Sequence, residues 1–485
     1  MKVVTTHKVR VFQPGSFEAE DHWYEKALNA TIHPMIQFFL TLDSQRVVDR
    51  YCHLHPRVDR EFLQSILETN TKFFRWAGAD LINVTTAGGN KQMIIIENNS
   101  CPSGQKSMPL AVEHKEQGGY RRLIEGTFKS MLDNKRGLVD GTLAVLYDKN
   151  PMETSGYAKV IADVFQEPVY FTPFFKDDPD PPARFSDGIL EVRDDRGVWM
   201  PVRAAFRYVT QKPWARIPLH TKTRILNPIA SCLAGGRNKM VAAKAYDLYN
   251  AEIQSFGLEL NIPATIWDVS KNEVPLWINK MGGHAVVKVP YSNAGQGVYT
   301  IVNRSELNAF MQLDFEYDKF IIQSLIGNYH WSSKTSKGKF YHVGTIPNLK
   351  GRTYVFDLRM MIQSTEDGMR PICVYSRRAP NPLVETLETG VRSWDMLGTN
   401  LSSRQQDGTW TTDTSRLLMM DRRDFHKLGL GLDDLIEAYI QTILSTIAID
   451  RMAEKMHNSK GRFRMKLFES LNNDPVLIKE ILEGQ

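Results

Sequence analysis

His284–Ile301 reads HAVVKVPYSNAGQGVYTI. An apolar strand carrying one lysine, Lys288, runs into a loop of small residues, Ser292-Asn293-Ala294-Gly295-Gln296-Gly297, and a second apolar strand follows. Alternation places Val286, Lys288 and Pro290 on one face of the first strand. The two glycines let backbone amides approach an anion with no Cβ in the way, and phosphate is the natural guest. A plain hairpin with a glycine bulge fits the same letters, so the flanking chain has to decide.

Downstream, Lys319–Ile326 (KFIIQSLI) reads as a strand leading into Gly327, a hinge edge. Arg352–Ile362 (RTYVFDLRMMI) is another, with Asp357 and Arg359 on one face and Phe356 and Leu358 on the other. Ile372–Ala379 carries Arg377-Arg378, and GTNLSS puts Asn400 in a loop. Upstream, a small-residue loop delivers Asn238-Lys239 to the start of a helix, where Lys239 reaches a phosphate or lies on the surface.

The N-terminal part begins with Ile32–Leu42, whose Phe38, Phe39 and Leu40 read as core. Helical spacing of Phe62, Leu63, Ile66, Leu67, Phe73 and Phe74 predicts a buried amphipathic helix over Asp59–Trp76. AGADLINV, carrying Asp80, and QMIIIENN form an antiparallel pair about the turn Ala87-Gly88-Gly89-Asn90. Glu97 and Asn99 are two apart on a strand and face one side, and Asp80 joins them from the neighbouring strand. Two carboxylates and an amide oxygen suit magnesium, which completes its octahedron with waters and nucleotide phosphates. Polar residues that merely end a strand fit an E-x-N as well.

Between these halves, Tyr120–Asn134 is a basic helix, and Thr142–Tyr147, Thr154–Phe165 and Val169–Phe171 read as strand, helix and parallel strand. Lys176–Pro182 is a solvated loop, two strands flank Asp194–Gly197, and Ala204–Val209 brings in Arg207. Arg121, Arg122 and Arg207 offer carboxylate recognition or surface salt bridges. At the end, Leu432–Met456 is a long amphipathic helix and a basic tail helix runs from about Lys460 to Glu483. These pack, bind a partner or pair two copies of the chain in a homodimer.

At 485 residues the chain exceeds one ordinary core, and 42% hydrophobic with 24% charged residues is a folded-protein composition. A net charge of +5 with both signs interspersed argues against a dedicated nucleic-acid binder. Cys52, Cys101, Cys232 and Cys373 form no CxxC pair, which suggests neither a zinc site nor a disulfide framework and fits a reducing compartment. Neither a secretory h-region nor an apolar run of roughly 20 residues is present, so the expectation is a cytoplasmic protein without a membrane partner.

Together these pieces resemble the ATP-grasp superfamily, in particular its ATP-dependent carboxylate-amine ligases. The family's middle elements occur in order as Lys239, Lys288 with Gly295 and Gly297, Ile321–Ile326, Asp357 with Arg359, Arg378, and Asn400-Leu401. Its last elements come first here, as the Asp59–Trp76 helix, AGADLI and IIIENNSCPSG. That order resembles a circularly permuted member, and the likeness covers roughly residues 57–110 and 200–405. The implied fold class is α/β with α+β lobes: a circularly permuted ATP-grasp fold with an inserted α/β pre-ATP-grasp-like region and C-terminal helices. The expected division is 1–110 holding the permuted metal-binding part, 111–225 as the inserted substrate region, 226–420 as the nucleotide-binding lobes, and 421–485 as terminal helices.

The resemblance implies ATP and Mg2+ as cofactors. Lys239 and Lys288 would hold the α- and β-phosphates, Ser292, Asn293, Ala294, Gly295, Gln296 and Gly297 would be the flap, and Asn400 would also bind the nucleotide. Gln323, Ser324, Leu325 and Ile326 would line adenine, although Ser324 stands where the family often has an acid. Asp80, Glu97 and Asn99 would hold magnesium, and Arg359 and Arg378 would steady the transferring phosphoryl group together with Lys288. The implied enzyme forms a C–N bond between a carboxylate and an amine, small molecules or peptides, through an acyl phosphate. A kinase on the same fold and a non-catalytic nucleotide-binding scaffold are the alternatives. Cys101, beside the metal motif, reads as structural.

Overall fold

The computed structural model describes residues 8–483 except 113–114, 134–135, 211, 213, 293–294, 388–390 and 405–409. In chain order the strands that matter are Arg10–Phe12 (β1), the long hairpin Trp76–Thr86 (β2) and Lys91–Asn99 (β3), then Thr142–Tyr147 (β4), Val169–Pro173 (β5), Ala183–Ser186 (β6), Ile189–Arg193 (β7), Trp199–Tyr208 (β8) and Arg224–Leu226 (β9). They are followed by Thr265–Ser270 (β10), Ala285–Lys288 (β11), Val298–Ile301 (β12), Lys319–Ser324 (β13), Phe340–His342 (β14), Phe356–Thr365 (β15) and Gly368–Arg378 (β16).

Among the described residues these strands build three larger sheets. One runs β1-β5-β4-β8-β7-β6 with β9 beside β8; a smaller one runs β10-β13-β11-β12; the third runs β14-β2-β15-β16 to a short strand at Leu417–Leu418, with β3 on β2. The expected hairpin at Ala285–Ile301 is present, pairing Lys288 with Val298. The β2–β3 hairpin pairs Asp80 with Glu97, and a bulge follows immediately. Strands β4 and β5 are parallel, joined by the Pro151–Phe165 helix. The two strands expected around Asp194–Gly197 are β7 and β8, and β8 continues through Ala204 to Tyr208.

Helix Arg60–Leu67, capped by Asp59, stops well short of the expected Trp76. Residues 72–74 are instead fastened by Asp450, whose carboxylate accepts from the N–H groups of Lys72, Phe73 and Phe74 at 3.0, 2.6 and 2.8 Å. Phe38 is 46% exposed and not core, while Phe39 beside it on the Pro34–Thr41 helix is buried.

The Leu432–Lys455 helix packs, one of the expected outcomes, but it is not amphipathic. Its residues are buried on nearly every side, from Leu435 through Ile440, Ile443, Leu444 and Ile449 to Ala453, which makes it an interior helix rather than an amphipathic face offered to a partner. It packs against β2, β3, β15 and the Lys239–Ile253 helix. The tail is two helices, Met465–Leu471 and Pro475–Leu482, separated at Asn472–Asp474. Two of its polar residues are used: Asn472 donates to Tyr291 Oη at 2.7 Å and accepts from Asn238, and Asp474 caps the last helix. No helix among the described residues is long and apolar enough to cross a membrane.

Candidate active site

The β10–β13 sheet and the β2–β15–β16 sheet face each other across a cavity of about 130 Å³. Val286, Lys288, Gln323 and Ser324 line it from the first sheet, Asp80, Ile82, Glu97, His342, Asp357 and Arg377 from the second. It continues past Glu97 into a smaller space lined by Asn99, Arg237, Lys239 and Tyr246.

Each side chain is held by an identifiable device. Asn98, between Glu97 and Asn99, points to the opposite face and donates to Ser445 Oγ and Thr446 Oγ1 of the interior helix at 2.8 and 3.1 Å. That anchor fixes which way its two neighbours point. Lys239 opens its helix directly after Asn238, whose side chain caps Val241 N–H at 3.2 Å. The Lys239 ammonium donates to Ser292 O at 2.6 Å and lies 3.5 Å from Glu97 Oε2. Lys288 is buried and donates to Ile96 O at 3.2 Å.

Electrostatics follow from this packing. Burial pushes the Glu97 carboxyl up, but Lys239, Lys288 and Arg359 pull it further down, to about 2. Burial lowers Lys288 to about 8, with Glu97 opposing and Lys239 adding to the shift. His342 is lowered by burial to about 4 and is therefore neutral near pH 7.

The loop expected as the flap borders this cavity at Gly295. Gly295 and Gly297 have φ of +74° and +68°, which favours glycine over any residue with a Cβ. A Cβ on Gly295 would lie 2.1 Å from Asn400 Nδ2, so the turn packs directly on the Asn400 loop. Asn293 and Ala294 lie outside the described residues, Ser292 contributes its carbonyl to Lys239, and Gln296 is exposed.

On the six-stranded wall the expected residues are arranged differently. Both oxygens of Asp80 accept from Arg359, Nε and Nη2 each at 2.6 Å, and Arg377 lies 3.0 Å from Oδ2. Arg377 also makes a two-point contact with Asp357, which accepts from Thr399 Oγ1 at 3.0 Å. Arg359 turns its remaining amine to Ser103 O and Tyr375 Oη. Arg378, expected in the site, is on the other face of β16; it donates to Ala379 O and stacks over Tyr354 at 4.7 Å. Leu325 likewise faces away, in a small core with Val302, Trp331 and Met396.

These contacts decide what a cation would find. Asn99 commits its amide hydrogens to Glu97 Oε1 at 3.1 Å and Gly78 O at 3.4 Å, and not its carbonyl oxygen. Glu97 and Asn99 therefore fit a magnesium ion that keeps several waters and takes phosphate oxygens; Asp80, with both oxygens on Arg359, does not in this arrangement. Among the described residues no group of three His, Cys, Asp or Glu side chains is placed to hold a metal.

The part of the cavity around Ile82, Val286 and Ile326, where the resemblance expects the nucleobase, is apolar apart from Gln323, which donates to Thr265 at 3.0 Å, neutral His342 and Ser324. The Ser324 hydroxyl is buried without a hydrogen-bond partner, and a buried hydroxyl is costly until something pairs with it. Asp357, Arg377, His342, Thr399 and Trp394 were not assigned to the site from sequence. Asp357 and Arg377 are identified by the register that pairs them across β15 and β16, which the sequence does not show; for His342 the sequence likewise holds no signal.

The remaining candidates are structural. Arg207 is fully buried and donates to the carbonyls of Asn227, Val209 and Ser100. Arg121 pairs with Glu125 on the surface, and Arg122 donates to Ile372 O at 3.3 Å. Cys101 is buried, accepts from Arg237 at 2.6 Å and, like the other three cysteines, is a free thiol.

The chain has a distant structural similarity to ATP-grasp ligases. An ATP-grasp RimK domain protein from Sphaerobacter thermophilus DSM 20745 matches at 14% identity and a TM-score of 0.29, covering 48% of this chain and 90% of that one. A glutathione synthetase-like effector from Globodera pallida matches at 10% identity and 0.37, covering 72% and 86%. The D-alanine-D-alanine ligase from Coxiella burnetii matches at 10% identity and 0.22, covering 65% and 97%. No protein-family model and no curated protein matches the chain.

Proposed function

We propose that the protein is an ATP-dependent carboxylate-amine ligase of the circularly permuted ATP-grasp type. The observation that carries this reading is the cleft between two sheets in which Lys239 and Lys288 share the single carboxylate of Glu97, bordered by a glycine loop and next to an apolar slot with an unpaired Ser324 hydroxyl. Two ammonium groups with one counter-charge attract a polyphosphate, and the slot suits a purine. The permuted order finds support in β2 and β3, from the N-terminal part, sharing one sheet with β15 and β16.

In this reading Glu97 and Asn99 hold magnesium, which when bound neutralises charge on the phosphate oxygens. Lys239 and Lys288 fix the phosphates in line, and Arg377, held by Asp80 and Asp357, presents a preorganised guanidinium to charge that builds up on transfer. The carboxylate oxygen of the acid attacks Pγ, the Pγ–O bond to ADP breaks, and an acyl phosphate remains. The amine nitrogen then attacks the acyl carbon, phosphate leaves, and the amine gives up one proton. The flap over Gly295 and Gly297 keeps water from the acyl phosphate, and catalysis is otherwise positioning.

The test is magnesium-dependent ATP consumption by the purified protein in a small-molecule extract, with Glu97→Gln as control. ADP together with a new mass equal to acid plus amine minus water is expected. ADP with a phosphorylated metabolite would instead establish a kinase, and AMP would exclude the acyl-phosphate route.

A further inference from the structure

Lys239 is tied at both ends to one short stretch of chain. Its backbone N–H donates to Pro290 O at 3.0 Å, and its ammonium to Ser292 O at 2.6 Å. Tyr291 lies between those two carbonyls, where the chain leaving β11 enters the 292–297 loop. Its ring is buried and edge-on to that of Tyr317, with centroids 4.6 Å apart.

From this junction a line of hydrogen bonds runs to the break between the two tail helices, 181 residues away. Asn238, the residue before Lys239, accepts from Val241 N–H through Oδ1 at 3.2 Å and donates through Nδ2 to Asn472 Oδ1 at 2.8 Å. Asn472 Nδ2 donates in turn to Tyr291 Oη at 2.7 Å, and the Tyr291 hydroxyl donates to Asp474 Oδ2 at 3.4 Å. The other oxygen of Asp474 accepts from Val476 N–H at 3.1 Å.

The direction of the line is fixed from one end. The Val241 N–H can only donate, which sets the Asn238 amide, and Asn238 Nδ2 then sets the Asn472 amide. Burial and Asp474 push the Tyr291 hydroxyl up, so it keeps the proton that it donates. Asn238, Asn472 and Asp474 have no exposed surface and Tyr291 almost none, so a member left unpaired bears the cost of its desolvation. The helix that Lys239 opens meets the tail a second time through Lys244, whose ammonium donates to Leu471 O at 2.6 Å.

We propose that Asn472 is a positioning residue for the nucleotide phosphates, holding the start of the Lys239 helix against the base of the 292–297 loop. It acts through Asn238 and Tyr291 and touches no ligand itself. The assignment rests on the nucleotide-binding part of the ligase reading above. One amide serves both sides of the junction: without it Asn238 Nδ2 and Tyr291 Oη each lose a partner, and the Lys239 ammonium loses the frame that aims it at a phosphate.

The experiment measures ATP and adenosine affinity by calorimetry, with magnesium present, on full-length wild type, Asn472→Leu, Tyr291→Phe and Lys239→Met, and on Tyr291→Phe combined with Lys239→Met. Tyr291→Phe keeps the ring and removes only the hydroxyl, so it carries the test alone if circular dichroism shows that Asn472→Leu does not fold. Asn472→Leu and Tyr291→Phe should each weaken ATP about tenfold. Adenosine, which has no phosphate for Lys239, should bind them as it binds the wild type. In the Lys239→Met background Tyr291→Phe should weaken ATP no further, because residues that act through one another are non-additive. Unchanged ATP affinity in Tyr291→Phe, a parallel loss of adenosine, or the same loss of ATP with and without Lys239→Met would overturn the assignment of Asn472 alone. Absence of ATP binding to the wild type would overturn the nucleotide reading and the assignment with it.

Discussion

On the six-stranded wall of the cleft two carboxylates, Asp80 and Asp357, alternate with two guanidiniums, Arg359 and Arg377, whereas beside the β11–β12 hairpin two ammonium groups, Lys239 and Lys288, share one carboxylate, Glu97. The first set is neutral and cross-braced by strand pairing; Arg359, although burial opposes it, is held well above the ordinary arginine range by Asp80. The second carries surplus positive charge in a buried place, and Lys288 is driven down accordingly. A closed lattice of charges is a framework that a ligand meets already built. An open one is completed by the ligand.

If that contrast is right, the largest effect on stability comes from breaking the lattice. Asp80→Ala strands Arg359 and Arg377 and should cost about 3–5 kcal/mol, read from urea unfolding. Glu97→Gln should destabilise less than Asp80→Ala but measurably, since it leaves Lys239 and Lys288 without their shared counter-charge, and should reduce ADP formation roughly 100-fold or more. Lys288→Met should weaken ATP binding about 10- to 100-fold, measured by calorimetry.

The same lysine gives a pH signature. It is charged below about 8, so wild-type affinity for ATP should be steady up to that pH and fall as pH rises through it; in Lys288→Met the fall should disappear. Arg378→Ala should do least, within about 0.5 kcal/mol of wild-type stability and without effect on ADP release, since its side chain is on the far face of β16.

Local pattern made much of this legible. Alternation on β11 put Val286 and Lys288 on the cavity side, the glycine turns marked both hairpins, and E-x-N on β3 placed Glu97 and Asn99 together. What sequence could not supply is pairing across distance. Arg359 meets Asp80 from 279 residues away, and only the register of β15 on β2 and β16 shows that Arg377, not Arg378, faces the cleft.

The Leu432–Lys455 helix packs, one of the outcomes expected for it, but its depth of burial depends on contacts from far along the chain. Ser445, Thr446 and Asp450 on it are buried partners of Asn98 and of the 72–74 backbone. Polar residues report a surface only when nothing inside the protein needs their hydrogen bonds.

The most direct test of the two-lysine cleft is calorimetric titration of ATP, with and without magnesium, into wild-type, Lys288→Met and Glu97→Gln protein. The structure predicts one ATP per chain, weakened by Lys288→Met, with a magnesium dependence that Glu97→Gln removes. Absence of binding to the wild type, or equal affinity in all three proteins whether or not magnesium is present, would contradict it.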